Sequence, residues 1–162
     1  MNVDVKQLFE RTVSIHDYLE RLSEPFKEKF FERKRTYKLN SEVTERLKEY
    51  AKKIFIVAFS AEWCKDCTAN IPVLALLSEK ADIKIRVFGN LKKDPLNPKE
   101  KWRIPPSPPE VKTFNVDKIP HIMIFNRQGK LLGTIIENPK EPNSLEEEIL
   151  EIVEKAAGLK QL

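Results

Sequence analysis

Cysteine and glycine are scarce, with two of the first and four of the second in 162 residues. Two cysteines only three positions apart do not make a secreted disulfide scaffold, which needs more of them at longer spacings. Four glycines leave no glycine-rich cradle for phosphate, and nothing else points to a bound organic cofactor, so none is expected. No run of about 18 apolar residues exists, so no membrane-spanning helix is expected. The opening MNVDVKQLFERTV lacks the basic and apolar regions of an export signal, and a cytoplasmic location is the expectation. A large excess of one charge is also missing. Lys and Arg number 29 against 25 Asp and Glu, a net charge of +4 with both signs interspersed. A nucleic-acid binder concentrates its positive charge, so neither nucleic acid nor a membrane is expected as a partner.

What is present is core material. Apolar residues make up 41% and charged residues 33% of the chain, which suits one folded domain or a domain with an appendage. Residues 1–53 read as helical. Ser14 with Asp17 suggests a cap, followed by Ile15, Tyr18, Leu19 and Leu22 on one face. Pro25 interrupts this pattern. Phe26, Phe30 and Phe31 give the next segment an aromatic face, read as core. Asn40 or Ser41 opens a third helix with Val43, Leu47, Tyr50 and Ala51 inward.

The period then changes. Ile54–Phe59 is an unbroken run of β-branched and aromatic residues, the pattern of a strand buried on both faces. Helical spacing follows through Ile71, Leu74, Ala75 and Leu77, with Pro72 inside it. Ile83–Phe88 reads as a second strand. Six of the 11 prolines fall between Pro95 and Pro109, and residues 90–112, with Lys92, Lys93, Lys99, Lys101, Arg103 and Trp102, read as a solvated basic loop without a core pattern. His121–Phe125 and Lys130–Ile136 read as a hairpin through Asn126–Gly129. Ser144 with Glu147 opens a last helix, Leu145–Ala157, closed by Gly158. One β-α-β crossover plus one hairpin gives an α/β fold, a mixed sheet with helices on both faces. The expected division is a helical extension over 1–53 and a main domain over 54–162, with 90–112 as an insertion.

Trp63-Cys64-Lys65-Asp66-Cys67 falls where the first strand hands over to a helix. The free amides and dipole at such a helix start favour an anion and lower a thiol's pKa. A thiol with pKa near 8.5 is about 3% ionised at pH 7, and one near 7 about half ionised. Cys64, at the helix start, is the candidate attacking thiolate. Cys67, one turn on and on the same face, can resolve a mixed disulfide. Trp63 places a ring beside the sulfur, while Lys65 and Asp66 bring opposing charges. Other readings of the pair exist. A structural disulfide across so short a loop contributes only about 2 kcal/mol in the chain-entropy picture. A metal site needs two more ligands, and only His16 and His121 offer imidazoles, without zinc-finger spacing. A binding module with thiols that do not turn over is the third.

The combined motifs resemble the thioredoxin family. Ile54–Phe59 followed by Ala61–Cys67 is similar to its central strand and active-site segment. Pro72 stands where the family carries a proline in its active-site helix. Ile119-Pro120 before a strand is similar to its cis-proline segment, and Gly129 matches its hairpin turn. The likeness covers about residues 50–158. It implies a thioredoxin-like sheet and thiol–disulfide exchange on disulfide-containing proteins, with Cys64 and Cys67 catalytic. Trp63, Lys65, Asp66, Ile119 and Pro120 would contact substrate, and an unidentified reductase would supply electrons. A cis Ile119–Pro120 bond would present backbone to which a substrate segment can add as a strand. Within the family, Trp-Cys-X-Asp-Cys with a helical extension is similar to a thioredoxin-like subgroup. Three positions depart from the family pattern. Ala58 stands where a buried acid is common, Asp66 where proline is common, and Glu137 in a region where glycine is common. Asp66 or a water is thereby expected to share in proton transfer. His121 could sit near the thiols, although a strand sends alternate side chains away, and a buried strand histidine is the plainer expectation.

Overall fold

The computed structural model describes Met1–Leu162, every residue of the chain. Its sheet is mixed and five-stranded, with spatial order β1-β3-β2-β4-β5. The strands are β1 (Val13–Ser14), β2 (Ile54–Phe59), β3 (Lys84–Phe88), β4 (His121–Asn126) and β5 (Leu131–Ile136). β2 lies at the centre, parallel to β3 and antiparallel to β4. Every residue of β2 is at 0% exposure, because neighbours flank both edges and helices cover both faces. The parallel pairing is possible because helix α5 (Lys65–Ala81) carries the chain back between β2 and β3. β4 and β5 form the hairpin, turning at Gly129 with φ +93°. A Cβ there would stand 2.3 Å from the Val3 carbonyl oxygen.

Alternation along β2 sorts the two faces. Phe55 and Phe59 point to one side. Phe9 of α1 (Val5–Arg11) sits edge-on to Phe55, and Phe114, which follows α6 (Glu110–Thr113), packs on Phe59 and Phe125. Ile54, Ile56 and Ala58 point to the other side, toward α5 and α7 (Leu145–Gly158), whose Ile152 presses on Gly133. This is the α/β arrangement with helices on both faces that the element order implies.

The first 53 residues are mostly helical: α1, α2 (Ile15–Glu20), α3 (Phe26–Thr36) and α4 (Ser41–Tyr50), then a short 3₁₀ turn. Ser14 and Asn40 cap α2 and α4 by accepting the Asp17 and Val43 amides, satisfying donors that a helix start leaves free. Ser144 and Glu147 form the reciprocal capping box of α7. α3 and α4 pack over α5, and α4 also meets α7. Phe30 and Leu47 are fully buried there, with Phe26 and Phe31 half-buried. Glu146 of α7 is buried too, and its carboxylate accepts from the Tyr37 hydroxyl at 2.7 Å and the Asn40 amide at 2.9 Å.

Two readings need correction. Val13 and Ser14 are not helical but pair with Val87 and Arg86 as an edge strand. The Arg86 guanidinium holds them there, donating to the Phe9 and Thr12 carbonyls and the Thr12 hydroxyl at 2.6–3.0 Å. A two-residue strand has no periodicity of its own to detect. The proline-rich stretch is also more than a solvated loop. Leu91, Trp102 and Val111 are buried at 4–7% exposure and belong to the main core.

Candidate functional site

Cys64 is the N-cap of α5, and its sulfur accepts the Cys67 amide at 3.2 Å. The strand-to-helix junction therefore aims a free backbone donor at the first sulfur. In its thiol form Cys64 donates to the Ile119 carbonyl at 3.6 Å. Cys67 lies one turn further on, at 0% exposure against 8% for Cys64. Both are free thiols.

The two thiols are pushed in opposite directions. The Cys64 pKa lies below the ordinary thiol value. The hydrogen bond from the Cys67 thiol contributes most, with help from the Cys67 and Asp66 amides and against burial and the Asp66 charge. The Cys67 pKa is pushed strongly up, first by burial and then by the neighbouring Cys64. The Ala61 amide and the Ser60 hydroxyl pull weakly the other way. A buried thiol with little access to water resists ionising, whereas one at a helix N-terminus with donors aimed at it does not.

Of the residues expected beside the pair, Ile119 makes the direct contact just described. The Ile119–Pro120 bond is cis, both residues are buried, and the Pro120 carbonyl accepts the Glu137 amide at 2.8 Å. Trp63 is 48% exposed and forms one wall. Lys65 is exposed and makes no ion pair. The Asp66 carboxylate accepts from Asn138 at 3.2 Å. Glu137 adopts φ +64°, the left-handed region that explains why glycine suits this place. His121 is on the far face of β4, edge-on to Phe59, and its Nδ1 is buried without a partner. Burial lowers its pKa. His16 is exposed on α2, with Glu79 as its nearest carboxylate at 3.9 Å. No group of three or more His, Cys, Asp and Glu side chains gathers where a metal could be held. No helix is long and apolar enough to cross a membrane.

Sequence reading missed several residues that build the site's surroundings. Asn70, buried inside α5, sets its side-chain nitrogen 2.9 Å from each of the Asp66 and Glu137 carbonyls and the Asn138 side-chain oxygen, which share its two N–H donors. It thus ties the first turn of α5 to the loop after β5. An Asn among apolar helix positions was the available signal, since a buried amide needs partners. Glu62 accepts from the Ser23 amide and hydroxyl at 2.8–2.9 Å, joining the cysteine loop to the start of α3. Trp102 stacks on Trp63 with centroids 5.9 Å apart, and its indole N–H donates to the Asp117 carbonyl at 2.7 Å. Tyr18 reaches from α2 to the Ser60 hydroxyl at 2.8 Å. Apart from Asn70 and Asp66 in one helical turn, these partners lie 15 to 68 residues apart, and nothing local announces them. Beside Trp63 runs a groove of about 500 Å³, with Tyr18, Ala61, Glu62, Gly89, Leu91 and Pro106 among its walls.

A family model described as Thioredoxin matches residues 12–150, which takes in β1 and α2–α4 as well as the central sheet. A crystallised protein of unknown function from Pseudomonas aeruginosa is similar in fold. It shares 16% identity at TM-score 0.70, over 95% of this chain and 99% of that one. An HIV epitope-scaffold aligns with 15% identity at TM-score 0.71, over 95% and 99% of the two chains. Reduced Schistosoma mansoni thioredoxin pre-protein aligns with 18% identity at TM-score 0.42, over 74% of this chain and 93% of that one. No curated protein matches the chain.

Proposed function

The chain belongs to the thioredoxin family, and from that premise we propose that it is a thiol–disulfide oxidoreductase reducing disulfides in other proteins. The observation that carries the reading is the asymmetry of the pair. One sulfur caps a helix and ionises readily; the other, one turn away, is buried and does not. Such a pair suits a two-step exchange. The Cys64 thiolate attacks a substrate disulfide, a mixed disulfide forms, and one substrate thiolate leaves. Cys67 then attacks the Cys64 sulfur, releasing the second substrate sulfur and leaving the pair oxidised. A reductase, not identified by anything in this chain, returns the electrons. This chemistry fits a reducing compartment such as the cytoplasm. The motif Trp-Cys-X-Asp-Cys after helical segments fits a thioredoxin-like subgroup of its own.

Substrate recognition in this reading uses the surface around Cys64. Ionisation of Cys64 frees the Ile119 carbonyl from the S–H donor, so that it can accept an amide from an extended substrate segment beside Pro120. Trp63 flanks that segment, and Lys65 and Asp66 present opposite charges to it.

The test is capture. Cys67→Ser should accumulate a mixed disulfide through Cys64 that dithiothreitol releases, and Cys64→Ser should abolish both capture and catalytic disulfide reduction. Stoichiometric binding that survives Cys64→Ser, without turnover in the native chain, would replace this reading with a redox-regulated binding module.

A further inference from the structure

The second step of exchange has a proton to dispose of. Cys67 is fully buried and its thiol is held neutral, yet it becomes the nucleophile. Ala58 of β2, where the family often carries a buried acid, is at 0% exposure and offers no carboxylate to receive the proton. The nearby ionisable groups are otherwise engaged or lie elsewhere. The Asp66 carboxylate is held by Asn138 and that of Glu62 by Ser23. The Arg33 guanidinium of α3 donates to the Ala69 carbonyl. Lys65 is exposed, and His121 is across the sheet.

The side chain that acts on Cys67 from the end of β2 belongs to a buried hydroxyl pair. Ser60, at 0% exposure, has its oxygen 2.8 Å from the Tyr18 hydroxyl, and the Ser60 hydroxyl pulls the Cys67 pKa down against burial. Tyr18 is 8% exposed and lines the groove beside Trp63. Each hydroxyl can accept one proton while donating its own. We propose that Ser60 and Tyr18 form a proton relay that carries the Cys67 proton to the groove during resolution of the mixed disulfide.

This rests on the exchange reading above. As the Cys67 sulfur bonds to the Cys64 sulfur, its proton passes to Ser60, the Ser60 proton to Tyr18, and the Tyr18 proton to water in the groove. The Cys64–substrate bond breaks with its electron pair on the substrate sulfur, which leaves as thiolate and takes up a proton from water. Ser60 and Tyr18 end as they began. The cysteine pair is oxidised by two electrons and the substrate disulfide is reduced by two. The relay makes α2 part of the chemistry.

The experiment uses the full chain and the aromatic disulfide dithionitrobenzoate, whose coloured thiolate leaves unprotonated and so isolates the Cys67 proton. Native protein should release one equivalent when Cys64 attacks and a second when Cys67 resolves. Tyr18→Phe keeps the ring against Phe30 and Gly89. It should leave the first phase and its pH profile in place. The second phase should slow about tenfold or more and its pH profile should move upward. Ser60→Ala should act the same way, and the double variant should be no slower than the slower single. Second phases at the native rate in both variants overturn the relay and leave the exchange reading standing. Equal slowing of both phases with a lowered melting temperature overturns it in favour of a structural role. Slowing by Asp66→Asn but not by Tyr18→Phe overturns it in favour of Asp66. A native chain that gives no first phase removes the exchange reading, and the relay with it.

Discussion

Replacing Trp102 with alanine removes the anchor of the proline-rich segment, and the cost can be worked from its surroundings. The side chain is 5% exposed, stacks on Trp63 and donates its indole N–H to the Asp117 carbonyl. Truncating a buried Trp to Ala costs about 3–5 kcal/mol through lost burial and the cavity left behind. The lost hydrogen bond contributes about 1 kcal/mol of this. Residues 90–109 contain no strand or helix, so little else holds them. The loss should therefore appear first as local opening rather than as global unfolding. Hydrogen exchange should show faster exchange at the Asp94, Arg103 and Ser107 amides, which now donate within this segment. With two tryptophans in the chain, emission from the variant reports Trp63 alone and should shift to the red as its stacking partner leaves. Trp102→Phe keeps a ring against Trp63 and should lose only about 1 kcal/mol. If the alanine variant keeps native amide protection and an unshifted Trp63 emission, the stack anchors nothing and this reasoning is refuted.

Alkylation by iodoacetamide should follow a one-proton curve for Cys64 with its midpoint below that of free cysteine, while Cys67 stays unmodified well above it. Equal reactivity of the two thiols would contradict the asymmetry found at the site. His121 is kept neutral by burial, so below pH 6.5 the unfolded chain takes up a proton that the folded chain refuses. Stability should thus fall with falling pH, by at most about 1.4 kcal/mol per unit from this group. A urea-melt series should show that His121→Leu flattens the slope between the ordinary histidine pKa and the depressed one. Arg86→Met removes the donors that hold the end of α1 and β1. It should cost about 2 kcal/mol in denaturant melts, with faster amide exchange in residues 5–14; an unchanged melt would show that the guanidinium is replaceable by water.

The amino-acid pattern by itself determined the elements that bury a regular face. Ile54–Phe59 could only be a central strand, because six apolar residues in a row need cover on both sides. Ser144 and Glu147 marked the start of α7, because capping is chemistry between neighbours in sequence. The cysteine pair was legible for the same reason, being one turn of one helix at one strand end. Tertiary structure decided everything that depends on partners far apart in the chain. Only folding brings Tyr18 to Ser60, Trp102 onto Trp63, Asn70 to the loop at Glu137 and Arg86 to the end of α1. These are single side chains without a repeating period. A hydrogen bond or stack between distant residues leaves no trace in the spacing of either, and its partner exists only once the sheet and its helices have closed around the thiols.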